Sequence, residues 1–278
     1  MIHRIPSYSE SASRVLRAGA FCLLLTAVPL GCLSKEPPVG KREAARTSAE
    51  SRQRRADSDD RYTDLRHRMV REQIEGRDVS EPRVLEAMRR VARHRFVPEG
   101  ARDAAYDDHP LPIGHGQTIS QPYIVALMTQ LARPKPEDRA LDVGTGSGYQ
   151  AAVLAELVER VYSIEIVCPL ADEADKRLQG LGYENVEVRC GDGYQGWPEH
   201  APFDVIIVAA APDHVPEPLV EQLAVGGRMV IPVGSGFDME LLLIEKIDDG
   251  TTRRRTIAPV LFVPMTGQAQ DPRTARGR

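Results

Sequence analysis

The sequence predicts an α/β fold: a doubly wound, mostly parallel sheet with a C-terminal antiparallel hairpin and an N-terminal helical extension. Three observations carry this. From Arg139 onward, short apolar runs alternate with helical stretches, and such alternation needs crossovers along both faces of a sheet. The first run ends in the glycine-rich turn Asp142-Val143-Gly144-Thr145-Gly146-Ser147-Gly148, with helical sequence directly behind it. The last two apolar runs are parted by Asp248-Asp249-Gly250, a turn that suits a hairpin.

The elements follow in chain order. Residues 1–32 place Arg4, Arg14 and Arg17 before an apolar run from Ala18 to Leu30 that ends in Gly31-Cys32, the layout of an export signal. The run is short for a spanning helix. Its end resembles a lipoprotein signal with Pro29 where leucine is usual, so a lipid anchor on Cys32 is one reading. A start codon assigned upstream of a cytoplasmic enzyme is the other. Residues 33–61 are rich in Arg, Glu, Ser and Ala, too polar to offset the entropy of ordering, and read as a disordered linker, as does the tail 269–278.

The folded region, 62–268, opens with a helical part over 62–132. Leu65, Met69 and Ile74 share one helical face; Val84, Leu85, Met88 and Val91 share the next. Ser80 and Pro82 suit the cap and first turn of that second helix. Asp107 to Gln117 reads as a Pro- and Gly-punctuated loop, and Pro122 to Leu131 as helix. Within 139–266, strands are expected at 140–143, 161–164, 186–188, 205–208 and 229–233, with helices at 149–157, 170–178 and 217–223 between them. The hairpin is expected at 240–247 and 257–263.

Composition sets limits. With 42% hydrophobic and 27% charged residues and a net charge of -4, the chain suits one soluble domain and carries no basic field for nucleic acid. Cys22, Cys32, Cys168 and Cys190 form neither a disulfide scaffold nor a paired zinc spacing, so no metal is expected. Cys168 and Cys190 follow neighbouring strands and could meet; free thiols are expected.

The turn at Gly144, Gly146 and Gly148 lets the backbone approach a ligand closely. Tyr149 stands where a dinucleotide fingerprint has its third glycine, which argues against a nicotinamide enzyme. The form with Asp142 two residues ahead resembles the first motif of class I methyltransferases that use S-adenosyl-L-methionine, which are Rossmann-like. A carboxylate suits the sulfonium and ammonium of that donor. Glu165, ending the next strand, is the candidate for the ribose hydroxyls, and Asp192 with Gly193, after the third, for the adenine.

After the fourth strand comes Ala209-Ala210-Ala211-Pro212, where methylases of adenine amino groups carry an acidic or amide Pro-Pro-aromatic motif. Small side chains supply no base, which suits a nucleophile ionised at neutral pH, such as a carboxylate with a pKa of about 4. His115 is accordingly read as a loop residue, and Tyr106 and Trp197 as packing residues.

The segment from Leu111 to Pro122, containing Gln117-Thr118-Ile119-Ser120-Gln121-Pro122, resembles protein-L-isoaspartate O-methyltransferases. So do His94-Arg95-Phe96-Val97-Pro98, Ala105-Tyr106-Asp107, Gly144 to Gln150 and Gly191-Asp192-Gly193, over about Leu65 to Thr266. The resemblance implies methylation of the free carboxylate of L-isoaspartyl residues in damaged proteins, without nucleic acid or metal, by a monomer. It implies that Ser120 is the active-site serine and hydrogen-bonds the substrate carboxylate, that Gln117, Thr118 and Ile119 line the cleft, and that Thr266 is a C-terminal contact. Read from its neighbours alone, Ser120 equally suits the N-cap of the helix from Pro122. The family is ordinarily cytoplasmic, so the signal-like segment leaves location open.

Overall fold

A computed structural model describes residues 61–268. The expected signal at 1–32, nearly all of the linker at 33–61 and the tail at 269–278 lie outside the described residues.

The chain begins with a helix over 61–69 that widens into a π-helix at Val70–Glu75, together α1. Helix α2, Pro82–Arg90, has proline at its start as expected, but its cap is Glu81, whose carboxylate accepts from the Arg83 N–H at 3.2 Å. Ser80 is not the cap; its N–H donates to the side chain of Gln130.

The loop expected before Gln117 contains a hairpin, β1 at Leu111–Gly114 and β2 at Gln117–Ile119. His115 and Gly116 form its turn with φ of 52° and 72°. Tight hairpins require that left-handed backbone. Helix α3, Pro122–Ala132, comes next.

The sheet domain alternates as expected: β3 Arg139–Val143, α4 Tyr149–Ala155, β4 Arg160–Glu165, α5 Cys168–Gly180, β5 Val186–Cys190, β6 Phe203–Val208, α6 Glu217–Glu221, then β7 Leu223–Ser235, β8 Asp238–Asp248 and β9 Thr251–Pro259. The apolar residues at 257–263 predict the last strand there. The strand that pairs with β8 is instead the Arg253-Arg254-Arg255 stretch, and residues 260–263 leave the sheet. β9 ends the sheet, and charged side chains suit an edge strand because they oppose pairing with another chain.

The sheet order is β5-β4-β3-β6-β7-β8-β9, parallel through β7 and antiparallel after it. Along β3 the side chains alternate between faces. Ala140 joins Val205, Ile207 and the apolar residues of α1 to α3, whereas Leu141 and Val143 join Ile206, Val208 and Met229 on the other face. A strand buried on both sides reads as a largely apolar run, as β6 does over Val205 to Val208 and β3 does over Ala140 to Val143 apart from the buried Asp142. The chain builds outward from β3 to β5, then returns to β6. That reversal leaves a crevice at the carboxyl ends of β3 and β6, where open α/β sheets take ligands.

The fold also brings Cys168 and Cys190 together in a disulfide, their Cα atoms 4.8 Å apart. The expectation of free thiols was wrong. Cys190 pairs in register with Glu165, and Cys168 follows Glu165 by three residues, so the two strand ends hold the sulfurs side by side. No helix among the described residues is long and apolar enough to cross a membrane.

Candidate active site

The crevice is a cleft lined by the glycine turn, the ends of β3, β4 and β6, and the segment leaving β2. Its floor is the glycine turn. Gly144 has φ of 93° and Gly146 of 54°, a backbone costly for any residue with a Cβ. The turn is tied to the next strand: the N–H groups of Gly144 and Thr145 donate to the Ile164 carbonyl at 2.8 and 3.1 Å. Gly148, φ 88°, caps α4 against Leu178 and lies outside the cleft lining.

Asp142 sits behind this turn. It is fully buried, does not line the cleft, and accepts from the Ser163 hydroxyl at 2.7 Å. With that proton committed, Thr145 donates to Ser163 at 2.6 Å. The acid therefore anchors the turn through two hydroxyls. Burial pushes its carboxyl up to about 7; the Ser163 bond opposes this and nearby Glu165 adds to it.

Glu165 does line the cleft. Its carboxylate accepts from the Gly146 N–H at 2.8 Å and the Val167 N–H at 3.0 Å, which fixes it across the mouth of the glycine turn. Asp192 has both oxygens engaged elsewhere, with the N–H groups of Tyr194 at 3.0 Å and Gln268 at 2.9 Å, and is not part of the lining. Gly193 is. A Cβ there would come within 2.5 Å of Val143 and 2.9 Å of Met265, so only glycine lets the chain pass this close.

The remaining walls are Gln117 to Ser120 on β2 and its exit, Ala209 and Ala210 after β6, and a strap over 263–266 that includes Thr266. The strap is held by the Ala211 N–H on the Val263 carbonyl at 2.8 Å and the Met265 N–H on Ala211 at 2.7 Å.

Ser120 is not a helix cap. Gln121 holds the cap position of α3 without a side-chain bond, and the Tyr123 N–H is taken by Asp108, 15 residues upstream, at 3.1 Å. Ser120 instead lines both the cleft and a second, wider groove, which share Thr118, Ala209 and Val263 as well. Its carbonyl is held by Arg93 Nη2 at 2.7 Å.

Arg93 and Asp108 are the residues that sequence reasoning missed. An arginine beside His94 reads as surface, yet Arg93 is fully buried, lies 4.8 Å from the ring centre of Tyr149, and has its pKa lowered to about 10 by burial. His115 stays in the hairpin turn facing Glu173, away from the cleft lining. Tyr106 and Trp197 are buried packing residues. Among the described residues no group of three His, Cys, Asp or Glu could hold a metal ion.

The sequence model of the family "Protein-L-isoaspartate(D-aspartate) O-methyltransferase (PCMT)" matches residues 64–270. The chain belongs to this family. It is 57% identical over 220 residues to protein-L-isoaspartate O-methyltransferase 2 of Syntrophobacter fumaroxidans, which covers 76% of this chain and 89% of that protein. A solved protein-L-isoaspartate O-methyltransferase is 30% identical with a TM-score of 0.63, the match covering 68% of this chain and 62% of that one. A protein from Plasmodium falciparum described as a putative protein-L-isoaspartate O-methyltransferase, in complex with S-adenosyl-L-homocysteine, is 27% identical with a TM-score of 0.64, covering 72% and 98%. Within the isoaspartate methyltransferase family, then, the glycine turn and Ser120 are two sides of one cleft in this member.

Proposed function

We infer that this cleft is where the enzyme carries a methyl group from S-adenosylmethionine to the free carboxylate of an L-isoaspartyl residue in a damaged protein, giving a methyl ester and S-adenosylhomocysteine. The observation that carries the reading is the position of Ser120 on the wall shared by the glycine-turn cleft and a second, larger groove. A donor needs the first and a polypeptide the second.

The residues present fit the donor. Two positive-φ glycines and Gly193 leave room along the cleft, and Glu165 offers a fixed carboxylate for ribose hydroxyls. Gln117, Thr118, Ile119, Gly193 and Thr266 surround it, while Asp142 and Asp192 support the walls from behind. When bound, the donor supplies an electrophilic methyl on a sulfonium. The protein's part is positioning: Ser120 donates a hydrogen bond to the substrate carboxylate and Arg93 fixes the serine's backbone. A carboxylate is already ionised near neutral pH, so Ala209 and Ala210 need supply no base.

The test is radiolabel transfer from S-adenosylmethionine to paired peptides, one with isoaspartate and one with aspartate. Labelling of the isoaspartyl peptide alone is expected, as a base-labile methyl ester. Equal or absent labelling overturns the assignment.

We also propose that the enzyme works outside the reducing cytoplasm. The Cys168–Cys190 disulfide supports this, because such bonds persist in oxidising compartments, and the signal-like residues 1–32 agree. Fractionation of cells with lipid-precursor labelling of wild type and Cys32→Ala tests it; unlabelled full-length protein in the cytosol overturns it.

A further inference from the structure

The groove beyond Ser120 carries two features that methyl transfer itself does not use. Phe237, in the turn between β7 and β8, is 96% exposed, and Leu261, just past β9, is 66% exposed. Both line the same groove as Ser120. A hairpin tip favours Gly, Asn or Asp, and Gly236, with φ of 61°, already provides the left-handed residue there. A phenylalanine left in water at this point forgoes the stabilisation that burying its ring would contribute. The fold gains nothing from it.

The facing wall is apolar too, with Ile124, Leu127 and the Tyr123 ring. Arg77 is the one charged residue among the described residues of the groove lining. Its guanidinium lies 3.3 Å from the Tyr123 ring centre and pairs with Asp108 at 3.0 Å, so its charge is answered within the protein. An occupant of this groove meets apolar surface and a neutralised cation, which disfavours strongly charged neighbours and rewards apolar ones.

We propose that Phe237 and Leu261 are specificity-determining residues: they clamp a large apolar side chain flanking the isoaspartate, in an extended segment whose modified residue lies at Ser120. This rests on the reading of Ser120 as the methylation site. It also selects the right substrates. Large apolar residues are buried in intact proteins, so an isoaspartate beside one reaches the clamp only where the chain has locally unfolded.

The experiment measures kcat and KM on one isoaspartyl peptide with Leu or Ser placed in turn at each of the two positions on either side. Wild type and the double variant Phe237→Ser/Leu261→Ser are compared. For wild type, Leu at one or more positions lowers KM by about tenfold with little change in kcat. The double variant has the same KM for both peptides. Calorimetric titration of the peptides with S-adenosylhomocysteine present follows the same order. A wild type indifferent to the flanking residue, or a variant that keeps the preference, overturns the clamp. Failure to label any isoaspartyl peptide overturns the underlying reading instead.

Discussion

Arg93 donates to the backbone carbonyl of Ser120 at 2.7 Å and to that of Ala105 at 2.8 Å, so one buried guanidinium fixes the active serine to the helical extension. Arg93→Met keeps the bulk and leaves both carbonyls without this donor. With about 1–3 kcal/mol for each, a loss of roughly 2–6 kcal/mol in stability is expected, read as a lower melting temperature. Where the variant is still folded, kcat falls while affinity for S-adenosylhomocysteine stays within about twofold. Wild-type turnover in the folded variant would show that the serine needs no such anchor.

Ser120→Ala separates chemistry from donor binding. Loss of a hydrogen bond to a charged carboxylate, about 1.5–3 kcal/mol, lowers turnover roughly tenfold to a hundredfold. Titration with S-adenosylhomocysteine should be nearly unchanged, because Glu165 and the glycine turn remain. An affinity loss as large as the turnover loss sinks the assignment.

Asp142→Asn tests the buried acid through pH. An unfolded aspartate titrates near 3.9, while the folded carboxyl is pushed up to about 7 by burial. Between those values the native state holds the proton and the unfolded state does not, so the stability of the wild type falls as pH rises and levels off above about 7. Asparagine removes this slope. Denaturant midpoints from pH 4 to 8 should therefore shift in favour of Asp142→Asn toward neutrality, and parallel profiles would refute the buried titration. Affinity for S-adenosylhomocysteine should stay within about twofold, since the asparagine amide oxygen can still accept from Ser163 and so keeps the anchor of Thr145.

The disulfide between Cys168 and Cys190 closes a loop across 22 positions. Chain entropy gives it about 3 kcal/mol, so reduction or the double serine variant should lower the melting temperature by several degrees. Because Cys190 pairs with Glu165, S-adenosylhomocysteine affinity should weaken as well. Identical melting curves with and without reductant would mean the bond does not form.

Much of the fold was legible because its signals are local. Short apolar runs marked β3 to β8, Pro82 and Pro122 marked helix starts, and the glycine turn marked the crevice. The errors came where a partner elsewhere in the chain, not local propensity, decided. β9 is an arginine-rich edge that no apolar pattern reveals, and Ser80 and Ser120 looked like caps while Glu81 and Asp108 do the capping.

The sequence by itself determined the sheet, the glycine turn and the string around Ser120, since each depends on residue types close together in the chain. Tertiary structure alone decided which acid faces the cleft. Glu165 lines it, whereas Asp142 and Asp192 turn to Ser163 and Gln268, residues 21 and 76 positions away. It also decided that Arg93 holds Ser120, that Cys168 meets Cys190, and that Phe237 stands at the rim of the serine's groove. These pairings follow from the strand order and crossovers, which set distant side chains beside one another and leave no periodic trace in either partner's own segment.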